Sequence, residues 1–275
     1  MDDIPIRIAG GDRTFLEGLL ARVRFDDRVA ALFLGGSHAA GTADKYSDLD
    51  LYLIAADAAY ESLRSEREGL LRSLGEIVFL EEHSDFGFLL LLFIYADGVH
   101  GEMALAPARD LHEVHGGPHL VLLDNEGLLT GRDFEASRLD RADRADIVGR
   151  ALKWFWYDRV LLDVALARAN PWTAHHHLER CRERCLDLAW LRAHPRVWPG
   201  GHEKAERMLD AATRALFEPT VVPLDADQMH RAARRLTDLY LRLGPEAARM
   251  CDISFPDRLV ETMMGRSIDR PRNGQ

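Results

Sequence analysis

The sequence predicts an α/β (α+β) N-terminal domain with a mixed sheet, followed by an all-α C-terminal helical bundle. Three observations predict it. Up to about residue 124, short apolar β-like runs alternate with helical spacing, an order that implies an α/β domain. From about Asp143 long helical segments take over, punctuated by prolines. Between them lies a polar, charged stretch, GRDFEASRLDRADRAD, of the kind in which domain boundaries fall. The expected division is 1–140, 141–266 and a flexible tail, 267–275.

Residues 11–25 space Phe15, Leu19, Leu20 and Val23 as one face of a helix. Val29 to Leu34 is the first strand, and Ser37 to about Asp44 a short helix or turn. Asp48 to Ile54 alternates as a strand, with Leu49, Leu51 and Leu53 on one face and Asp48, Asp50 and Tyr52 on the other. Tyr60 to Leu74 reads as a helix and Ile77 to Leu80 as a short strand. Phe88 to Tyr95 and Val99 to Leu105 form a hairpin about Asp97-Gly98, a strong turn signal. His119 to Leu123 is a further strand, ended by the turn Asp124-Asn125-Glu126-Gly127. Helices are then expected from Ala145 to about Ala169, Thr173 to about Ala193, Glu203 to about Phe217 and Asp225 to about Leu243, as an up-and-down bundle.

The most informative segment is LFLGGSHAAGTADKYSDLDLYLI. Its first apolar run ends in Gly35-Gly36-Ser37, and its second begins with Asp48 and Asp50. Side chains two apart on a strand share a face, so the two carboxylates converge on one spot, as a hard divalent cation such as Mg2+ requires. Without a cation, they would repel each other. Gly35 and Gly36 let backbone approach a ligand, and Ser37 opens the next helix with a hydroxyl and N-terminal amides that suit an anion.

Strand, Gly-Gly-Ser, gap, Ser-Asp-x-Asp and second strand together resemble the signature of the nucleotidyltransferase superfamily, in particular its antibiotic (aminoglycoside and lincosamide) members. The resemblance covers roughly residues 29 to 130. It implies that residues 1–140 are the catalytic domain, with ATP as co-substrate and Mg2+ on Asp48 and Asp50. Gly35, Gly36 and Ser37 would hold the phosphates; Ser47 would orient Asp48, and Lys45 is an ambiguous loop residue.

The superfamily uses a third acid from a neighbouring strand, and Glu102 is the candidate for it, as a metal ligand, a base or both. It shares a strand face with His100 and Ala104, while Gly101, Met103 and Leu105 read as core. A carboxylate in an apolar strand is costly to bury, so it is expected to line a cleft. Asp97 and Asp85 are rivals, better explained by a turn and a loop. The family more often carries Asp here; the longer Glu favours a base role.

In such enzymes the helical domain supplies cations for the triphosphate, and Lys153 and Arg180 are the candidates. Trp154 and Tyr157 are expected in the core and Trp156 at an interface or facing substrate. His177, Cys181 and Cys185 fall at i, i+4, i+8, which closes a zinc tetrahedron poorly, so buried core cysteines are expected. Asp158, Asp163, Glu179, Glu183 and Asp187 are alternative bases or sites for a cationic acceptor.

Bulk properties narrow the partners. The chain has 275 residues, 47% hydrophobic, and a net charge of −10, which speaks against a nucleic-acid surface and suits a small cationic or hydroxylated acceptor. No apolar run reaches membrane-spanning length, no secretion signal is evident, and three cysteines give no disulfide framework; a cytoplasmic enzyme is expected. The expected reaction is Mg2+-dependent transfer of AMP to a hydroxyl of a small molecule, with antibiotic resistance as the biological reading. Alternatives are a protein-adenylating enzyme like the minimal nucleotidyltransferases of toxin–antitoxin pairs, or a non-catalytic nucleotide-binding module.

Overall fold

The computed structural model describes residues 8, 10–84, 87–135, 138–194 and 205–265. The chain divides into two compact units, Met1–Ser137 and Arg138–Gln275. The expected tail and Asp85 lie outside the described residues.

The first unit runs α1 (Gly10–Val23), β1 (Val29–Leu34), α2 (Gly36–Ala40), β2 (Leu49–Ala55), α3 (Tyr60–Arg72), β3 (Ile77–His83), β4 (Leu89–Tyr95), β5 (His100–Pro107), α4 (Leu111–Val114) and β6 (Leu120–Asp124). The strands form one mixed sheet in the order β3-β4-β5-β2-β1-β6. β2 and β5 are parallel, and the other pairs are antiparallel.

Alternation along the strands decides what each face does. Leu49, Leu51 and Leu53 of β2, Leu91 and Phe93 of β4, and Met103 and Leu105 of β5 bury one face together with Phe15, Leu16 and Leu19 of α1 and Leu63 and Leu71 of α3. Each such side chain contributes roughly 1.5–3 kcal/mol of burial. The opposite face is covered over only part of its length, where Phe33, Ile54, Ala104 and Ala106 pack with Leu111 and Val114 of α4, Leu129 and Phe134. Asp50 and Glu102 share this face but belong to neither buried cluster.

Gly98, at φ +94°, turns the hairpin between β4 and β5, with the amide of Val99 donating to Asp97 Oδ1 at 3.1 Å. Asp124 closes β6 by accepting from the amides of Leu128, Leu129 and Thr130. β3 runs three residues beyond Leu80, because Glu81, Glu82 and His83 continue the pairing with β4. This is the sheet's edge, where charged side chains keep the strand in water.

The second unit consists of α5 (Arg141–Ala167), α6 (Pro171–Ala193), α7 (Ala205–Met208), α8 (Ala211–Phe217), α9 (Ala226–Met250) and α10 (Asp257–Met264). Asp140 and Asp143 form a reciprocal capping box at the start of α5, and Pro171 opens α6. Only Arg168–Asn170 separate α5 from α6, a connection short enough to make them antiparallel neighbours. The core holds Phe155 stacked on Tyr240 at 4.4 Å between centroids, with Tyr240 donating from its hydroxyl to the carbonyl of Leu152. Cys181 and Cys185 lie fully buried in this core, which pushes both thiols up from their ordinary range.

Three helical expectations are corrected. The single helix expected over 203–217 is two pieces, because Asp210 accepts from the amide of Thr213 and starts α8 afresh. α9 continues through Gly244-Pro245 to Met250, since Gly244 lets Leu152 and Phe255 pack close against the backbone. The aromatic assignment on α5 is reversed: Trp156 is buried at 3% exposure, whereas Trp154 and Tyr157 are exposed at 49% and 56%.

Candidate active site

Asp48 stands one residue before β2 and is exposed; Asp50 is the second residue of the strand and half-buried. β5 lies parallel beside β2, and its register sets Glu102 directly against Asp50. In-register neighbours on adjacent strands share a face roughly 4.8 Å apart, within reach of one ligand. Gly101, one residue earlier, allows this approach, since a Cβ there would run into the backbone of Leu49.

Burial, and after it the negative charge of Asp48, hold the Glu102 carboxyl above its ordinary value. Burial also pushes the Tyr52 phenol up to about 12, with the charges of Asp50 and Glu102 adding to it. All three acids therefore act on one small region of the sheet face.

The Gly-Gly-Ser turn forms the wall beside Asp50. The amide of Gly35 donates to the Asp50 carbonyl at 2.8 Å, which ties the turn to β2. Gly36 adopts φ +52°, and a Cβ there would collide with the Asp50 carboxylate. A Cβ on Gly35 would lie 2.8 Å from the Tyr52 ring and 3.3 Å from His115. Gly36 thus needs glycine for backbone shape and for space, and Gly35 for space alone. The helix opens at Gly36 with Gly35 as its cap, so Ser37 is its second residue rather than its opener. The Ser37 hydroxyl is buried and has no hydrogen-bond partner among the described residues. A ligand oxygen arriving at the turn would satisfy it.

The other predicted residues fall as follows. The Ser47 hydroxyl accepts from the Asp44 amide at 2.9 Å, a contact that shapes the loop before Asp48. The Lys45 ammonium lies over the Tyr46 ring at 4.6 Å. Lys153 and Arg180 belong to the helical unit. Arg180 pairs with Glu183 at 2.8 Å, and Lys153 lines a cavity of about 580 Å³ with Arg150, Trp154 and Ser254. The acids considered as alternative bases are all engaged there: Asp158 with His177, Asp163 with Arg159, Glu179 with Arg182, Glu183 with Arg180 and Asp187 with Arg184.

Sequence reasoning missed His115. It is 7% exposed and packs edge-on against Phe33 and Tyr52, with its Nε2 on the carbonyl of Gly117 at 3.2 Å. Burial holds its pKa below the ordinary value, so the ring is neutral at pH 7. It supports Tyr52 and Gly35 from behind. Only the run His115-Gly116-Gly117-Pro118-His119 hinted at a special role.

Among the described residues no three His, Cys, Asp or Glu side chains close into a cage for a metal ion. A small hard cation that keeps its waters and shares phosphate oxygens needs only one or two carboxylates. The all-oxygen set of Asp48, Asp50 and Glu102 fits that demand, and their mutual repulsion is what a cation would relieve.

Residues 16–92 match the family model described as a nucleotidyltransferase domain. This match contains Gly35, Gly36, Ser37, Asp48 and Asp50, while Glu102 lies beyond it. No curated protein matches significantly. Among solved structures, an aminoglycoside 6-adenyltransferase from Bacillus subtilis is similar at 16% identity, with 92% of this chain and 96% of that chain covered and a TM-score of 0.42. A nucleotidyltransferase-like protein from Exiguobacterium sibiricum is similar at 14% identity, with 95% and 82% covered and a TM-score of 0.37. With its strand, glycine turn, paired aspartates and returning strand in place, the N-terminal unit of this chain carries a nucleotidyltransferase domain.

Proposed function

We propose that the protein transfers AMP from ATP to a hydroxyl of a small molecule, an aminoglycoside or lincosamide-type antibiotic, and releases pyrophosphate. The observation that carries the reading is the register match of Asp50 and Glu102 across β2 and β5, with Gly36 pressed against the Asp50 carboxylate. The choice of acceptor rests on the resemblance to antibiotic-modifying members of the superfamily and on the net charge of −10.

Asp48 and Asp50 would hold Mg2+, which when bound supplies charge neutralisation for the nucleotide phosphates. Ser37 donates a hydrogen bond from its hydroxyl to a phosphate oxygen, and Gly36 leaves room for the Asp50 carboxylate beside that turn. Glu102 accepts the proton of the acceptor hydroxyl. The acceptor oxygen forms a bond to the α-phosphorus as the bond from that phosphorus to the bridging oxygen breaks. The electron pair leaves with pyrophosphate. Burial and the negative charge of Asp48 raise the Glu102 carboxyl, which makes it a better base than an ordinary glutamate. Tyr52 and His115 position the turn from behind and touch no reacting atom.

The test is pyrophosphate release from Mg·ATP across aminoglycosides and lincosamides, with mass spectrometry of the products. A product heavier by one AMP is expected. A protein that binds Mg·ATP yet adenylates only another protein would favour the protein-adenylating alternative, and no binding of Mg·ATP would sink the nucleotidyl-transfer reading.

A further inference from the structure

The face of the sheet that carries Asp50 and Glu102 does not end at Glu102. In the order β1-β2-β5-β4-β3, the register passes from Glu102 of β5 to Leu92 of β4, and from Leu92 to Glu81 of β3. One step along the strands it passes from His100 to Ile94 and on to Phe79. Leu92 is half-buried, and Ile94 and Phe79 are exposed at 41% and 42%. The buried cluster on this face reaches Leu90 and stops, so Leu92, Ile94 and Phe79 form an apolar strip outside both cores of the unit.

We propose that this strip is the acceptor subsite, and that the acceptor is a hydroxyl compound with an apolar face and a donor or single cationic group, rather than a polycation. The inference rests on the nucleotidyl-transfer reading and follows from the geometry of displacement. In-line attack sets the acceptor oxygen and the departing pyrophosphate on opposite sides of the α-phosphorus. The phosphate side is fixed by Gly36 and Ser37, which lie against Asp50 from the β1 side. The acceptor must then arrive from the other side of Asp50, where the sheet continues through Glu102 to β4 and β3. A hydroxyl held at Glu102 lays the rest of the molecule across Leu92, Ile94 and Phe79. Apolar surface beside a carboxylate selects an amphipathic molecule, because a ligand charged on every side would have to dehydrate its ammonium groups over that strip without compensation. Glu81, exposed at the strip's border, is placed to pair with one donor or cation.

The experiment compares the full-length protein with Phe79→Asp/Ile94→Asp. Binding of Mg·ATP is measured by calorimetry, and AMP transfer is measured to a lincosamide (a hydroxylated sugar with an aliphatic arm) and to an aminoglycoside (a polycation hydroxylated all round). We expect kcat/KM to favour the lincosamide about tenfold or more, and the double variant to lose about tenfold through the acceptor KM, while it still binds Mg·ATP. Should the double variant fail to fold, Ile94→Thr keeps a strand-forming residue in place and is expected to give a smaller rise in acceptor KM. An aminoglycoside preference, an unchanged acceptor KM in the variants, or Mg·ATP binding without transfer to either compound overturns the proposal. A dimer by light scattering that the double variant converts to monomer also overturns it, since the strip would then be an interface between copies. Failure of the wild-type protein to bind Mg·ATP would instead bring down the underlying nucleotidyl-transfer reading.

Discussion

Gly36 concentrates the site's constraints at one residue. Its φ of +52° and the carboxylate of Asp50 against its Cα leave no space for a methyl group. Gly36→Ala should therefore destabilise the first unit by about 1–2 kcal/mol through backbone strain alone. Displacing the Asp50 carboxylate should lower AMP transfer by about 100-fold, in line with an ångström-scale misplacement. A urea melt with parallel kinetics checks both, and an alanine variant of normal activity would show the contact to be irrelevant. Asp50→Asn keeps shape and removes charge; transfer should fall about 10³-fold, with the circular dichroism spectrum unchanged. Glu102 makes a prediction about stability. Its folded carboxyl is raised above 4.5 by burial and by Asp48, so the stabilising form is the protonated one. That contribution is fully present below about pH 4.5 and is lost as pH rises through the folded value. As pH rises through the folded value the ionised carboxylate works against folding, so at pH 7 without metal Glu102→Gln should raise Tm by about 1–2 °C while abolishing proton abstraction. The difference should vanish near pH 4, and thermal melts at the two pH values decide it.

At the scale of elements, the legible parts were those where local pattern and tertiary role agree. β1, β2 and the hairpin of β4 and β5 were readable because alternation, Gly98 and the glycine turn all act over a few residues. Asp50 beside Glu102 was harder to read, since the parallel pairing joins residues 52 positions apart and no turn fixes its register. His115 was invisible because its role depends on Phe33 and Tyr52, which reach it only through the fold. The aromatic run of α5 misled because adjacent residues lie about 100° apart on a helix and the apolar pattern there is broad; Phe155 and Trp156 turned inward and Trp154 and Tyr157 outward. α9 was cut short at Gly244-Pro245 because that dipeptide normally ends a helix. Tertiary packing overrode it, and the two residues should respond oppositely to alanine. A Cβ at Gly244 would meet Phe255 at 2.8 Å and Leu152 at 3.0 Å, so Gly244→Ala should destabilise by about 1–3 kcal/mol despite its better helix propensity. Pro245→Ala restores an amide to the helix ladder and should stabilise by about 1–2 kcal/mol, after allowing for the freer unfolded chain. Urea unfolding followed by helical ellipticity separates the two signs.

At the scale of the whole molecule, the hydrophobic clusters follow the division of the chain. Every buried member of the helical cluster, from Ile147 to Cys251, comes from the second unit. Every buried member of the two sheet clusters, from Ile8 to Phe134, comes from the first. A unit that closes its own core from its own residues meets the requirement for independent folding. Residues 138–275 expressed alone should therefore give a helical spectrum and one cooperative urea transition, with a slope of about 1–3 kcal/mol per molar urea. The buried pairs support this, because Phe155 with Tyr240, Asp158 with His177 and Arg182 with Thr220 all lie within the fragment. The Asp140–Asp143 capping box also falls inside it, so the first helix keeps its start. A fragment with helical ellipticity but a broad, shallow melt would mean that the core is only collapsed, and the assignment of a self-sufficient helical unit would then be wrong.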